Sequence, residues 1–251
     1  MSPLSEQGVA DMENSMNNGK SAGSRYETDS RGVFGIRRLA LVQLVEGGPD
    51  VNGVTGTSSV TLVKTSTSTI IVDSGTPNVS SRIKAGLESI HLPLEKVNVL
   101  VTTCPKENYT GNDQLFTHAL QHIAGEDWSR VEMATGRRVG IHTQVHWIDK
   151  YVKILKNPFP AEGSLAIIFH VPSVADILEP STIPLAGKVI GIAGGMIESR
   201  DGEEISEILA EIAGNPDIDR PKNIASLRDM LIYCDYIIPG RGPIFPTRGN
   251  K

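Results

Sequence analysis

The sequence predicts an α/β sandwich, with two mixed sheets packed face to face and helices on their outer faces. Candidate strands outnumber candidate helices, and the helices follow the strands in two separate blocks along the chain. The chain has 251 residues, of which 39% are hydrophobic, which is enough for one substantial buried core. These observations favour one large folded domain over two small ones.

Residues 1–35 are predicted to form a disordered tail, and residues 36–251 the folded domain. The first segment carries Ser, Asn, Gly and mixed charges, with apolar residues only singly spaced. Such a segment cannot bury enough apolar surface to offset the entropy lost on ordering. It also lacks the basic start and apolar core of a secretory signal.

The first block of the domain is predicted to hold four strands and two helices. The strands cover residues 39–45, 59–63, 69–72 and 97–101, where apolar and β-branched residues alternate or run together. A helix is expected over residues 80–90, with Ser80 or Ser81 as its N-cap. A second helix is expected over residues 112–123, because Leu115, Phe116, Ala119, Leu120 and Ile123 have helical spacing.

The second block is predicted to hold further strands and then two helices. The expected strands cover residues 139–141, 144–147, 151–154, 165–169, 188–192 and 236–238. One amphipathic helix is expected over residues 203–212. Another is expected to begin at an Asp219 N-cap, with Pro221 in its first turn and with Ile224, Leu227, Met230 and Leu231 buried.

The composition excludes several classes of protein. No apolar run approaches the roughly 20 residues that a membrane-spanning helix requires. The formal net charge of -5 argues against broad nucleic-acid binding. Two cysteines do not make a disulfide framework, so we expect reduced thiols and an intracellular protein, cytoplasmic or nuclear.

Four loops leave predicted strands and are the candidate site, because sites are commonly built on loops held by a rigid scaffold. They cover residues 72–77, 102–112, 193–198 and 238–243. Their motifs are Ile-Val-Asp-Ser-Gly at 71–75, Gly-Asn-Asp-Gln-Leu-Phe at 111–116, Gly-Lys-Val at 187–189 with Ala-Gly at 193–194, and Ile-Ile-Pro-Gly-Arg-Gly-Pro at 237–243.

This spaced set of motifs resembles the metallo-β-lactamase superfamily, over about residues 59–245. The resemblance implies an αββα sandwich with a dinuclear zinc site at one sheet edge. It also implies that Asp73 supports a zinc ligand. The seven ligand positions of the family fall on Cys104, Lys106, Asn108, Tyr109, His170, Gly195 and Arg241.

These residues are a poor set of zinc ligands. Zinc takes imidazole, thiolate and carboxylate donors, which only Cys104 and His170 offer at these positions. Lys106 and Arg241 are cations and would repel the metal, while Gly195 has no side chain. We therefore expect no bound metal or other cofactor and no zinc-hydrolase activity, although zinc is the cofactor of the family.

Three interpretations of the substituted site remain open. In the first, the fold persists as a non-catalytic scaffold or regulatory protein that binds an unknown protein partner. In the second, Lys106 and Arg241, with Asp73, Asn108 and Tyr109, hold a small anionic ligand such as a phosphate or carboxylate. In the third, Cys104, His170 and Asp73 keep a weak metal site.

The prediction is thus a degenerate, non-catalytic member of a hydrolase family. The alternative is a family-type metallo-hydrolase with an atypical site, and an endoribonuclease is the form that the resemblance implies. In that case a nucleic-acid partner would follow from the resemblance alone. Four histidines outside the ligand positions are expected to be surface or hydrogen-bonded residues: His118 and His122 on one helix, and His142 and His146 on one strand face. Cys234 is expected to pack in the core.

Overall fold

The computed structural model describes residues 27–28, 34–35, 41–48, 56–123, 145–157, 164–171, 185, 187–199 and 220–247. The chain divides into two units, Met1–Arg37 and Arg38–Lys251. In the first unit, β1 (Glu27–Thr28) pairs antiparallel with β2 (Phe34–Gly35). The rest of the predicted tail lies outside the described residues. None of the helices in the described ranges is both long and apolar enough to cross a membrane.

The first sheet of the second unit has five strands in the order β3-β4-β5-β6-β7. These are β3 (Leu41–Val45), β4 (Val60–Lys64), β5 (Thr69–Val72), β6 (Val99–Thr102) and β7 (Leu120–Ile123). The first three pair antiparallel, whereas β5, β6 and β7 run parallel. The parallel pairing brings the carboxyl ends of β5, β6 and β7 to one edge of the sheet.

The second sheet has six strands in the order β13-β12-β11-β10-β9-β8. These are β8 (Val145–Trp147), β9 (Val152–Asn157), β10 (Ser164–His170), β11 (Val189–Ser199), β12 (Tyr236–Arg241) and β13 (Phe245–Pro246). Only β11 and β12 pair parallel, so this sheet is also mixed. Every strand predicted within the described residues is present, with bounds that differ at most of the ends.

Three α-helices are described: α1 (Ser80–Ser89), α2 (Glu107–Thr110) and α3 (Arg220–Tyr233). The predicted serine N-cap of α1 is wrong. A 3-10 turn, Pro77–Val79, leads directly into α1, so Ser80 is already helical and Val79 holds the cap position without a side-chain bond. In α3, Leu227, Met230 and Leu231 are buried as predicted. Asp219 and the side chain of Ile224 lie outside what the structure describes.

The core lies between the two sheets, and helices pack on their outer faces. One apolar cluster joins residues of the first sheet, such as Val72 and Val101, to residues of the second, such as Ile154 and Ile167. A second cluster joins α3 to the outer face of the second sheet. On the first sheet, Gly86 of α1 lies against the side chain of Leu44. The predicted two-sheet sandwich with outer helices is therefore confirmed.

The helix predicted over residues 112–123 is wrong. The structure has a 3-10 turn over Asp113–Phe116 and then strand β7. A short apolar segment with helical spacing also suits a strand, and here β7 pairs with β6, including Val99 with Leu120 and Val101 with His122. The predicted strand over 139–141 and the predicted helix over 203–212 lie outside the described residues.

Candidate functional site

The four predicted loops meet at one edge of the sandwich. The Asp73 N–H donates to the carbonyl of Val101 at 2.8 Å, and the Leu165 N–H of the second sheet donates to the carbonyl of Thr103 at 2.9 Å. The Ser59 N–H donates to the carbonyl of Gly240 at 2.6 Å. The first bond joins the end of β5 to β6, the second joins the end of β6 to β10, and the third joins the start of β4 to β12, so the loops form one junction.

Asp73 is held in an unusual conformation at the centre of this junction. Its φ is 58°, in the left-handed region that is uncommon for residues other than glycine, although asparagine and aspartate adopt it more often than most. Its carboxylate is 2% exposed and accepts hydrogen bonds from the Thr103 N–H at 2.7 Å and from the Thr103 hydroxyl at 2.8 Å. Burial raises the pKa of Asp73 to about 8, although the two Thr103 hydrogen bonds oppose the rise. The carboxyl is therefore mostly neutral at pH 7.

Thr103 fits against Gly194 of β11, and this contact joins the two sheets. Gly194 has a φ of 53°, and a Cβ added there would overlap the Oγ1 and Cβ of Thr103. Glycine is required at this position both for its backbone conformation and for the close approach of Thr103.

Tyr109 fills the space between the loops. Its side chain is 1% exposed, and its hydroxyl lies beside Gly240, where an added Cβ would come within 2.6 Å of it and within 2.5 Å of the Gly194 carbonyl oxygen. The main chain holds the residue in place, because its N–H donates to the Lys106 carbonyl and its carbonyl accepts from the Ser74 N–H, both at 2.8 Å. A large aromatic side chain thus spans from α2 to β12.

A polar network next to Tyr109 was not predicted from the sequence. The Ser74 hydroxyl donates to Asp113 at 2.6 Å and accepts from the Asn112 N–H at 3.0 Å. The Asn112 amide donates to the carbonyls of Ser74 and Thr76, both at 2.7 Å. The only signal in the sequence was the Gly-Asn-Asp motif itself, whose partners lie 36 to 39 residues earlier in the chain.

The fold can now be compared with known structures. A metallo-β-lactamase-like protein from Thermotoga maritima matches with a TM-score of 0.61 at 14% identity, over 83% of this chain and 99% of that one. The chain has the metallo-β-lactamase fold. The subclass B3 metallo-β-lactamase MEM-A1 from a soil metagenome library gives a TM-score of 0.51 at 12% identity, over 82% of this chain and 78% of its own. The metallo-β-lactamase SMB-1, in complex with mercaptoacetic acid, gives 0.50 at 14% identity, over 82% of this chain and 80% of its own.

Sequence comparison adds one relative. An uncharacterized protein of Caenorhabditis elegans is 24% identical over 194 residues, which cover 75% of this chain and 48% of that protein. The chain therefore spans about half the length of the curated relative that it matches. No family model matches the sequence.

Six of the seven ligand positions that the resemblance implied lie in this junction of the metallo-β-lactamase fold or in the loops that form it. Cys104 is fully buried and Asn108 is 6% exposed, whereas Lys106 is exposed and Arg241 is half-buried. Gly195 follows Gly194 in β11. Together with the buried Asp73 and Tyr109, this leaves Lys106 and Arg241 as the members of the predicted anion-binding set that solvent reaches appreciably.

His170 lies at the end of β10 that is remote from the junction and from Cys104. In β10, His170 pairs with Val189 at the start of β11, whereas Leu165 is the residue bonded to Thr103. His170 is five positions further along the strand than Leu165, a distance of about 17 Å. The Tyr233 hydroxyl lies 3.2 Å from the His170 Nε2, and burial, with the nearby Lys153, lowers the pKa of His170. The predicted Cys104–His170 pair therefore cannot share one metal ion.

The residues of the junction do not fit a dinuclear zinc centre. In the described part of the chain, no group of three or more His, Cys, Asp or Glu side chains is placed to hold a metal ion. At the ligand positions, the phenol ring of Tyr109 is buried between the loops. The positive charges of Lys106 and Arg241 would repel a divalent cation. We therefore derive no chemistry through zinc at this edge.

Of the predicted histidine pairs outside the ligand positions, the His118–His122 pair is wrong and the His142–His146 pair is not tested. His118 and His122 do not share a helix: His118 follows the 3-10 turn, with its Nε2 3.1 Å from the Leu94 carbonyl oxygen, and His122 lies in β7. The His122 ring instead lies 5.1 Å from that of His146 in β8. His142 lies outside the described residues. Cys234 is buried as predicted, and burial raises the pKa of its thiol to about 12.

Proposed function

We propose that this chain is a non-catalytic binding or regulatory protein built on the metallo-β-lactamase fold, without the dinuclear zinc centre. The observation that carries the proposal is the burial of Tyr109, whose ring fills the junction of the strand-end loops. Without a metal, no hydroxide is generated at neutral pH, because bound zinc is what lowers the pKa of water to about 7. Asp73, mostly neutral at that pH, is also a poor general base.

The motif set also resembles metallo-β-lactamase domain-containing protein 1, a small eukaryotic protein of the superfamily. That relative is associated with hydrolysis of an RNA substrate. Transfer of this activity is the competing hypothesis, and the side chains at the ligand positions argue against it. We propose an intracellular location, in the cytoplasm or nucleus, because the two cysteines of the sequence, Cys104 and Cys234, do not make a disulfide framework.

Removal of metal is expected to leave the fold intact. Protein dialysed against EDTA should keep its unfolding temperature to within about 1–2 °C, because the junction is closed by side chains and backbone hydrogen bonds. The same sample, with and without added Zn²⁺, should not cleave a single-stranded RNA oligonucleotide. Zinc-dependent cleavage that is lost in Cys104→Ala and retained in Cys234→Ala would contradict the proposal.

A small anion is the second candidate ligand, and the position of two cations favours it. Lys106 is the N-cap residue of α2, and its carbonyl accepts from the Tyr109 N–H. The Tyr109 hydroxyl lies beside Gly240, which precedes Arg241. The loops that carry the two cations are thus joined by one side chain. Arginine binds a phosphate or carboxylate through its bidentate fork, and lysine adds a point charge.

Phosphate, nucleotides and small carboxylates are therefore expected to raise the unfolding temperature. At about 100 times the dissociation constant, a ligand stabilises the fold by roughly 2.7 kcal/mol, or about 5–10 °C for a domain of this size. The shift should disappear in Lys106→Ala with Arg241→Ala. It should persist in the matched pair Arg82→Ala with Lys84→Ala, whose exposed cations lie on α1. No shift with any of these ligands would exclude this candidate.

A further inference from the structure

His122 and His146 come from different sheets and meet at the side of the sandwich. His122 lies in β7 and His146 in β8, which are the edge strands of the two sheets. His122 pairs with Val101, and His146 pairs with Ile154. Val101 and Ile154 both belong to the core between the sheets, and directly paired residues share a face. Both imidazoles therefore face the interior of the sandwich.

The separation of the two rings matches that of two histidines bound to one metal ion. A zinc–nitrogen bond of 2.0–2.1 Å places the ion about 3.2 Å from the centre of each imidazole ring. With a tetrahedral angle at the ion, the two ring centres are then about 5.2 Å apart. The observed separation is 5.1 Å, and the rings are tilted by 51° rather than stacked in parallel.

The surroundings of the pair suit a transition-metal dication. His122 is 1% exposed and His146 is half-buried, so the pair is held by the fold on one side and reached by solvent on the other. Lys153 of β9 lies on the other face of the sheet, with its ammonium over Trp147 at 5.5 Å and over Tyr233 at 4.7 Å. Lys156 lies on the same face as Ile154, but it is two residues further along β9 and exposed. Imidazole donors select zinc, copper and nickel over magnesium and calcium.

We propose that His122 and His146 together bind one divalent transition-metal ion, with Zn²⁺ as the representative, between the edges of the two sheets. Among the residues that the structure describes, no third His, Cys, Asp or Glu joins them, and two imidazoles alone bind a metal ion with modest affinity. Neither histidine is among the ligand positions that the resemblance implied. When Zn²⁺ is added above its dissociation constant, the bound ion would link β7 to β8 and stabilise the side of the sandwich, whereas protein without added metal would not hold the ion and would not respond to EDTA.

The test is a Zn²⁺ titration of the full, untagged chain by isothermal calorimetry, with Co²⁺ absorption as a second readout of tetrahedral coordination. We expect one Zn²⁺ per chain for the wild type, and binding weakened by more than about tenfold in His146→Gln and in His122→Gln. The matched control is His91→Gln, which changes an exposed histidine elsewhere and should bind as the wild type does. His146 is half-buried, so its variant decides the question even if the His122 variant does not fold.

Two outcomes would overturn the inference. One is the absence of Zn²⁺ binding by the wild type, which would leave the pair as a ring contact only. The other is binding that both histidine variants retain. A second equivalent of Zn²⁺ that survives His146→Gln and is lost in Cys104→Ala would contradict the proposed function and leave this inference standing, so the two failures are distinguishable.

Discussion

Gly194→Ala is expected to lower the free energy of unfolding by about 3–5 kcal/mol. The left-handed backbone, with a φ of 53°, costs an alanine about 1–2 kcal/mol. The added Cβ also overlaps Thr103, and forcing extra atoms into a packed site costs about 1–3 kcal/mol or more. If Thr103 moves to make room, its two hydrogen bonds to Asp73 are disturbed as well. Denaturant unfolding followed by circular dichroism measures the loss.

A second glycine separates the two causes. Gly187 has a φ of 74°, but a Cβ added there meets no atom within 4 Å. Gly187→Ala should therefore cost only the backbone term, about 1–2 kcal/mol. Removing the obstructing side chain in Thr103→Gly with Gly194→Ala should cost less than the sum of the two single changes. Equal losses for Gly194→Ala and Gly187→Ala would refute the tight contact between Thr103 and β11.

Elements that depend on local pattern were predictable from the sequence. Strand β5 was predicted over residues 69–72 and is observed as Thr69–Val72, because a short, β-branched apolar run between turn residues suits a strand buried on both faces. Helix α1 was predicted to within one residue at its end for a similar reason, since Ile83 and Leu87 form a buried stripe. Because most elements were of this kind, the sandwich followed from the sequence.

Elements that depend on partners in space were not predictable in the same way. Residues 120–123 have a helical pattern, but they form a strand because they pair with the backbone of β6. The predicted His118–His122 pair is wrong for the same reason, because periodicity relates residues within one segment, whereas His122 meets His146 across two sheets. His170 was assigned to the site from a motif. Because of the direction in which β10 runs, His170 lies at the end of the strand remote from the site.

The candidate site was predicted as a set of loops and not as a packed interior. Each loop follows a buried strand, which the sequence indicates. The burial of Tyr109 depends on the approach of Gly194 and Gly240 from the other sheet, and no pattern in the sequence indicates it. The tyrosine at a ligand position therefore indicated that a zinc ligand is absent there. It did not indicate that the tyrosine ring is buried between the loops.

The stability of the wild type is expected to fall as the pH rises from about 5 to 8, because of Asp73. Burial raises the pKa of Asp73 to about 8 in the folded state, against an ordinary value of 3.8 in the unfolded chain. Between these values the folded state binds the proton that the unfolded state has released. The contribution is therefore complete below about pH 3.8 and is lost as the pH rises through 8, by up to about 1.4 kcal/mol per pH unit.

Asp73→Asn isolates this contribution. Asparagine tolerates the left-handed backbone, and its side-chain oxygen can accept the bond from the Thr103 N–H without carrying a charge. The variant should lose the downward slope between pH 5 and 8 and should be more stable than the wild type above pH 8. The control is Asp149→Asn: the bonds that Asp149 accepts, the first from Thr65, outweigh the opposing effect of burial and lower its pKa, so its contribution has the opposite sign and is lost at acid pH. If the free energy of unfolding had the same pH dependence in the wild type and in Asp73→Asn between pH 5 and 8, Asp73 would be ionised in the folded protein. A positive charge or a bound cation within the junction would then be needed to stabilise the buried carboxylate of Asp73.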